Sequence, residues 1–195
     1  MDALKKFGWR DSFERAFQPF RAGGFQAGRV STEYGEQYQV LTATGEIEAE
    51  ITGKLRYSVD SAAELPKVGD WVVLTLFENE GKGIIHEVLP RETSLSRKVA
   101  GERTGEQVIA TNLDTIFVIL ALDQGFNLRR LERYLVTVRD SGATPVIVLN
   151  KSDLVDDIQD KRAQVTAIAP DVTLVQTSAI TGHGLEAVSY THLRA

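Results

Sequence analysis

The chain has 195 residues, 43% of them hydrophobic, with 22 Lys and Arg against 27 Asp and Glu and a net charge of −5. That is enough apolar material for a packed core in one large domain or two small ones. The absence of cysteine excludes disulfides and cysteine-ligated zinc in this sequence, the acidic balance argues against indiscriminate coating of nucleic acid, and the longest apolar run, Ile116 to Leu122, is far too short to span a bilayer.

Residues 1–24 form an amino-terminal extension, and Met1 to Arg21 is interrupted throughout by charge, so it carries no secretory signal. From residue 25 to 90 the pattern is of short strands: Phe25 to Ser31, Gln37 to Ala43, Glu46 to Thr52, Trp71 to Phe77 and Lys82 to Leu89. Turns fall at Thr44-Gly45 and Asn79 to Gly81, where glycine permits a positive φ. Five strands at this spacing predict a small all-β barrel compatible with an OB-fold, whose faces often bind oligonucleotides. Trp71 and Phe77 share a face by the two-residue period and are expected to fill the barrel. Tyr34, Tyr38 and Tyr57 could stack on bases, although packing or plain exposure is the commoner fate of such side chains. His86, His183 and His192 have no metal partner nearby in the sequence and receive no catalytic role.

Residues 91–110 form a polar linker with a local basic group, Arg91, Arg97, Lys98 and Arg103, the candidates for RNA contact. Thr115 to Ala121 then predicts a buried strand and Asn127 to Asp140 a helix. Leu128, Leu131, Leu135 and Val138 lie on one stripe of that helix, leaving Arg129, Arg130, Arg133 and Arg139 to face outward. Such a charge pattern is usually a solvated face, with RNA contact as the sharper alternative. A strand over Val146 to Leu149 within the apolar run Pro145 to Leu149, a helix over Asp156 to Ile168 and a strand over Val172 to Gln176 complete the pattern. Strands alternating with helices imply βαβ crossovers and a parallel sheet, whose ligands bind at the strands' carboxyl ends.

Asn150-Lys151-Ser152-Asp153 falls at such an end and has the form of an NKxD guanine-recognition loop. The amide can bond the base and brace neighbouring loops, the lysine stem can lie on the ring face, and the Asp153 carboxylate can accept from guanine's ring N–H and exocyclic amine. Adenine offers neither donor, and a site that leaves a desolvated carboxylate unpaired rejects the wrong partner by roughly 10⁴-fold. One helix and one strand later comes Thr177-Ser178-Ala179, then Thr181-Gly182-His183-Gly184-Leu185. Ser178 and Ala179 have the form of the SA loop that clamps guanine, with the Ala179 amide facing O6. Either motif alone is a weak signal; the two in this order and spacing support each other.

A phosphate-binding loop of the form GxxxxGKS/T is absent. Gly53-Lys54-Leu55 and Gly81-Lys82-Gly83 come nearest, and both are expected as β-turns. Guanine loops ahead of any phosphate loop indicate a circular permutation. With Gly69-Asp70-Trp71-Val72, Leu89-Pro90-Arg91 with Arg97, Asn112-Leu113-Asp114, Phe126-Asn127 and Arg133-Tyr134-Leu135, this order resembles the circularly permuted ribosome-small-subunit-dependent GTPase A family (RsgA, also called YjeQ) from about Lys6 to Val188.

The resemblance implies an OB-fold at 25–90 followed by the first half of a P-loop-NTPase-like, permuted GTPase domain at 111–188. It implies a cytoplasmic, monomeric GTPase that aids late maturation of the small ribosomal subunit and contacts its rRNA. GTP is then the ligand, and Mg²⁺ and a structural Zn²⁺ are expected only in the full-length protein. Residues 189–195 match nothing expected of the family and are taken as an anomalous tail. The chain as written is predicted not to hydrolyse GTP, with no catalytic residue of its own. The alternative is an OB-fold RNA- or ribosome-binding module without nucleotide hydrolysis; a GTPase of ordinary motif order is disfavoured because the upstream sequence contains no phosphate loop.

Overall fold

The computed structural model describes residues 2–77, 79–98 and 106–193, with the side chains of Lys98, Glu106 and residues 190–193 left aside. They form two compact units, Met1–Asn112 and Leu113–Ala195.

In the first unit, helices α1 (Asp2–Lys5) and α2 (Asp11–Arg21) precede the barrel. Phe13, Phe17 and Phe20 recur at helical spacing, and the first two are fully buried with Leu4 and Trp9 against Trp71, Val73 and Leu89. Each buried phenylalanine contributes about 1.5–3 kcal/mol of hydrophobic stabilisation. Trp9 meets Trp71 edge-on, centroids 4.7 Å apart.

Strands β1 (Gln26–Tyr34), β2 (Gln37–Thr42), β3 (Glu46–Ile51), β4 (Trp71–Phe77) and β5 (Lys82–Val88) close a barrel in the order β1-β2-β3-β5-β4. All pairings are antiparallel except β3 with β5, where Glu48 lies opposite Lys82. Its interior is Val30, Tyr38, Val40, Ala49, Leu55, Val72, Leu74 and Ile85. Gly28 is required in β1 because a Cβ there would stand 2.5 Å from the Val40 side chain.

Two sequence expectations fail here. Trp71 lies on the outer face of β4, beneath the amino-terminal helices, and Phe77 is exposed, because the opposite parity, Val72 and Leu74, fills the barrel. Gly53-Lys54-Leu55 is not a turn but opens helix α3 (Gly53–Ser58), whose first turn is capped by Thr52 Oγ1 accepting the Leu55 N–H at 3.0 Å.

The expected linker at 91–110 carries two paired strands, β6 (Ser94–Lys98) and β7 (Glu106–Thr111). Asp70, wholly buried, holds this region to the barrel: it accepts from Arg91 Nε at 2.9 Å and Nη2 at 2.7 Å, from Thr111 Oγ1 at 2.6 Å and from the Lys67 N–H at 2.8 Å. Gly69 beside it has φ +94°, and any Cβ there would fall 2.0 Å from the Thr111 carbonyl oxygen. The Gly69-Asp70-Trp71 run is thus a structural knot.

The second unit contains β8 (Thr115–Ala121), α4 (Leu128–Asp140), β9 (Thr144–Asn150), a 3₁₀ turn (Ser152–Leu154), α5 (Gln159–Ile168), β10 (Thr173–Gln176) and α6 (Leu185–Leu193). The strands form a parallel sheet in the order β10-β9-β8. Leu131, Leu135 and Val138 from α4 and Val165 from α5 pack with Val118, Leu120, Ile147 and Leu149. Helix α4 begins where Asn127 Oδ1 accepts the Arg130 N–H. Helix α5 starts three residues later than its sequence pattern suggests, after Asp157 Oδ1 accepts the Gln159 N–H in a local turn. The backbone of 189–193 continues α6, while Arg194 and Ala195 lie outside the described residues.

Candidate guanine-recognition site

Three loops meet at the carboxyl end of the parallel sheet, and backbone bonds fix their spacing. The Leu122 N–H donates to the Asn150 carbonyl at 2.9 Å, the Thr177 N–H to Leu149 at 2.8 Å, and the Ser152 N–H to Thr177 at 3.1 Å. Lys151 sits in the left-handed region at φ +64°, ψ +39°. A non-glycine residue held there costs about 1–3 kcal/mol, and such strain collects at ligand-binding loops.

Each residue of the tetrad except Ser152 is braced through its side chain. Asn150 Oδ1 accepts from Thr177 Oγ1 at 3.2 Å. Lys151 Nζ lies 2.5 Å from Asp123 Oδ2. Asp153 Oδ1 accepts from Ser178 Oγ at 2.5 Å. A carboxylate has about four lone-pair sites, so Ser178 fixes the Asp153 group in place and leaves capacity for two further donors.

Ser178 is itself wholly buried and over-determined. Its Oγ accepts the Thr181 N–H, its N–H donates to the His183 carbonyl at 2.9 Å, and its carbonyl accepts the Gly182 N–H at 2.9 Å. Gly182 at φ +78° and Gly184 at φ +71° shape the loop, and a Cβ on Gly184 would lie 2.0 Å from the Gln176 carbonyl oxygen. Ala179 is exposed beside it. Asp123 is held below the usual carboxylate pKa by its bond from Lys151 and then by the Gly125 N–H.

The structure therefore brings Asn150, Lys151, Asp153, Ser178 and Ala179 onto adjoining loops. It adds Asp123 and Thr177, to which the sequence reading gave no role. The signal for Asp123 was its position: a carboxylate two residues past β8, at the end of the sheet where Asn150 leaves β9.

Of the basic group, the side chains of Arg91 and Arg97 lie among the described residues, and they have different partners. Arg91 is engaged with Asp70 and with the carbonyls of Ala63 and Leu65, so it is a structural cation and is withdrawn as an RNA contact. Arg97 is exposed and donates to Gln107 Oε1 at 3.0 Å. The Lys98 side chain and Arg103 lie outside the described residues.

A family model described as RsgA GTPase matches residues 88–193, more than half of the chain. The chain belongs to the RsgA GTPase family. A small ribosomal subunit biogenesis GTPase RsgA from Opitutus terrae is 44% identical over 194 residues, covering 95% of this chain and 53% of that protein. Its counterpart from Methanosarcina acetivorans is 41% identical, covering 93% and 48%. The chain thus spans about half the length of these RsgA relatives. The crystal structure of YjeQ from Thermotoga maritima shares the fold with a TM-score of 0.68 at 24% identity, covering 86% of this chain and 56% of that one. YloQ, a circularly permuted GTPase, superposes with a TM-score of 0.58 over 80% of this chain.

Proposed function

We propose that this chain is the guanine-recognition portion of a GTP-hydrolysing factor that acts in the cytoplasm, as a monomer, on the small ribosomal subunit and its rRNA. The carrying observation is the Ser178–Asp153 bond, which joins the NKxD and SA loops into one receptor for a guanine edge. Asp153 accepts the ring N–H and exocyclic amine, the Ala179 N–H donates to O6, the Lys151 stem covers the ring, and Asn150 braces the SA loop through Thr177. The names of the RsgA relatives support the ribosomal assignment.

A cysteine-ligated zinc site does not fit the residues present, since the chain has no cysteine. Among the described residues no three His, Asp or Glu side chains converge. A phosphate loop of the form GxxxxGKS/T is absent from the sequence, and we expect no GTP turnover by the 195-residue chain above buffer. Any rRNA contact falls to exposed cations such as Arg97, Arg129 and Arg133. It avoids the outer face of β3, where the exposed Glu46, Glu48 and Glu50 would repel phosphate.

The test is a titration of ¹⁵N-labelled chain with GDP and with ADP. GDP is expected to shift the Ser178, Ala179 and Asp153 amides at concentrations where ADP does not. Equal responses to both nucleotides would contradict base recognition.

A further inference from the structure

We propose that Asp123 is a positioning residue of the guanine site, acting through Lys151; this rests on the guanine reading above and extends it. Lys151 Nζ is 2.5 Å from Asp123 Oδ2, while Asp123 Oδ1 accepts the Gly125 N–H at 2.7 Å. The two oxygens therefore divide their work, one anchoring the carboxylate to its own loop and the other holding the lysine. That loop is fixed in turn. Arg130 Nη2 of α4 donates to the Gly125 carbonyl at 2.7 Å, Lys161 Nζ of α5 donates to the Leu122 carbonyl at 3.2 Å, and the Leu122 N–H is bonded to Asn150.

The physical consequence concerns the lysine stem. Covering a purine face requires the four-carbon chain to be extended in one direction, and a long, partly exposed side chain loses rotamer freedom when a ligand imposes that. Lys151 is 48% exposed and has an αL backbone, so its own surroundings do little to order it. Tethering Nζ to Asp123 orders the stem before the base arrives. Asp123 touches neither the guanine edge nor the phosphates in this scheme; its effect passes entirely through the ammonium.

Ordering one such side chain in advance corresponds to about a 2- to 10-fold gain in affinity. The test is a double-mutant cycle in the whole chain with GMP as probe, read from the Ser178 and Ala179 amide shifts. Asp123→Asn is expected to weaken GMP by that factor in the parent and to have no further effect in Lys151→Met, where the stem remains but the charge is gone. Asp123→Glu, keeping the charge, should recover part of the loss. Raising salt should shrink the difference between parent and Asp123→Asn, because the pair is partly exposed.

An unchanged ¹⁵N spectrum away from the site establishes that each variant is folded. An equal loss from Asp123→Asn in both backgrounds would mean a merely structural role and overturn the proposal. No loss in the parent, with Asp153→Asn still abolishing guanine preference, would overturn it while leaving the guanine site intact. If Asp153→Asn also changed nothing, the guanine reading itself would fall.

Discussion

The barrel and the parallel sheet solve the problem of strand edges in opposite ways. The barrel closes β1-β2-β3-β5-β4 on itself, and its strand β4 is buried on both faces, Trp71 and Val73 under the amino-terminal helices and Val72 and Leu74 in the interior. The second unit has three strands in an open order, with β10 and β8 at its edges, and Ile119 in the middle of β8 is 62% exposed. Closure removes edges, whereas parallel sheets normally have both faces covered. The barrel is therefore the better-enclosed unit, and the candidate guanine loops stand on the one with apolar surface to spare. Poor solubility is expected to originate in that second unit.

The largest effect that would break this comparison lies in the barrel. Arg91→Ala leaves the buried Asp70 carboxylate without its cation, and we expect a loss of about 3–5 kcal/mol. Denaturant unfolding followed by tryptophan fluorescence reads the barrel directly, since Trp9 and Trp71 both pack there. A loss below about 1 kcal/mol would remove Asp70–Arg91 as the knot that holds residues 91–112 to the strands.

Leu131→Ala empties a buried position in α4 and should cost about 2–5 kcal/mol. Hydrogen exchange should show lost protection in β8 and β9 with β4 and β5 unchanged; equal loss in the barrel would deny that the two units are energetically separate. A smaller effect, about 1 kcal/mol, is expected for Thr52→Ala, which removes the α3 cap, and it should appear only in the barrel's unfolding transition.

The last prediction leaves neutral pH untouched. Burial pushes the Tyr38 phenol up to about 12 from an ordinary 10, with Glu33 adding to the shift. The unfolded chain then ionises this group first, so its stability contribution is fully present below pH 10 and is lost as pH rises through about 12. Absorbance titration should show one of the five tyrosines ionising late in the folded chain and with the others in denaturant.

Much of this architecture was legible because periodicity is local. β8 was bounded at Thr115 and Ala121, and a buried run stopping at a polar tetrad put the end of β9 at Leu149, one residue before the observed Asn150. The amino-terminal helices were missed although Phe13, Phe17 and Phe20 carry the helical spacing, because the charges between them obscured the apolar face. Trp71 was assigned to the barrel interior because alternation gives two faces without saying which is inner. Arg91 was misjudged because its partner Asp70 is 21 positions away, and nothing local reports that pairing. The candidate guanine residues were proposed through motif chemistry, whereas Asp123 required three-dimensional proximity: one carboxylate in a loop becomes a candidate only when a particular lysine reaches it.

Guanine recognition by Asp153 is tested most sharply by the base preference of Asp153→Asn. This substitution is expected to weaken binding of guanine nucleotides and to improve binding of xanthine nucleotides, whose 2-oxo group accepts from the new amide where guanine presents a donor. Unchanged guanine affinity, with no gain for xanthine, would place Asp153 outside the site and contradict guanine recognition by this loop.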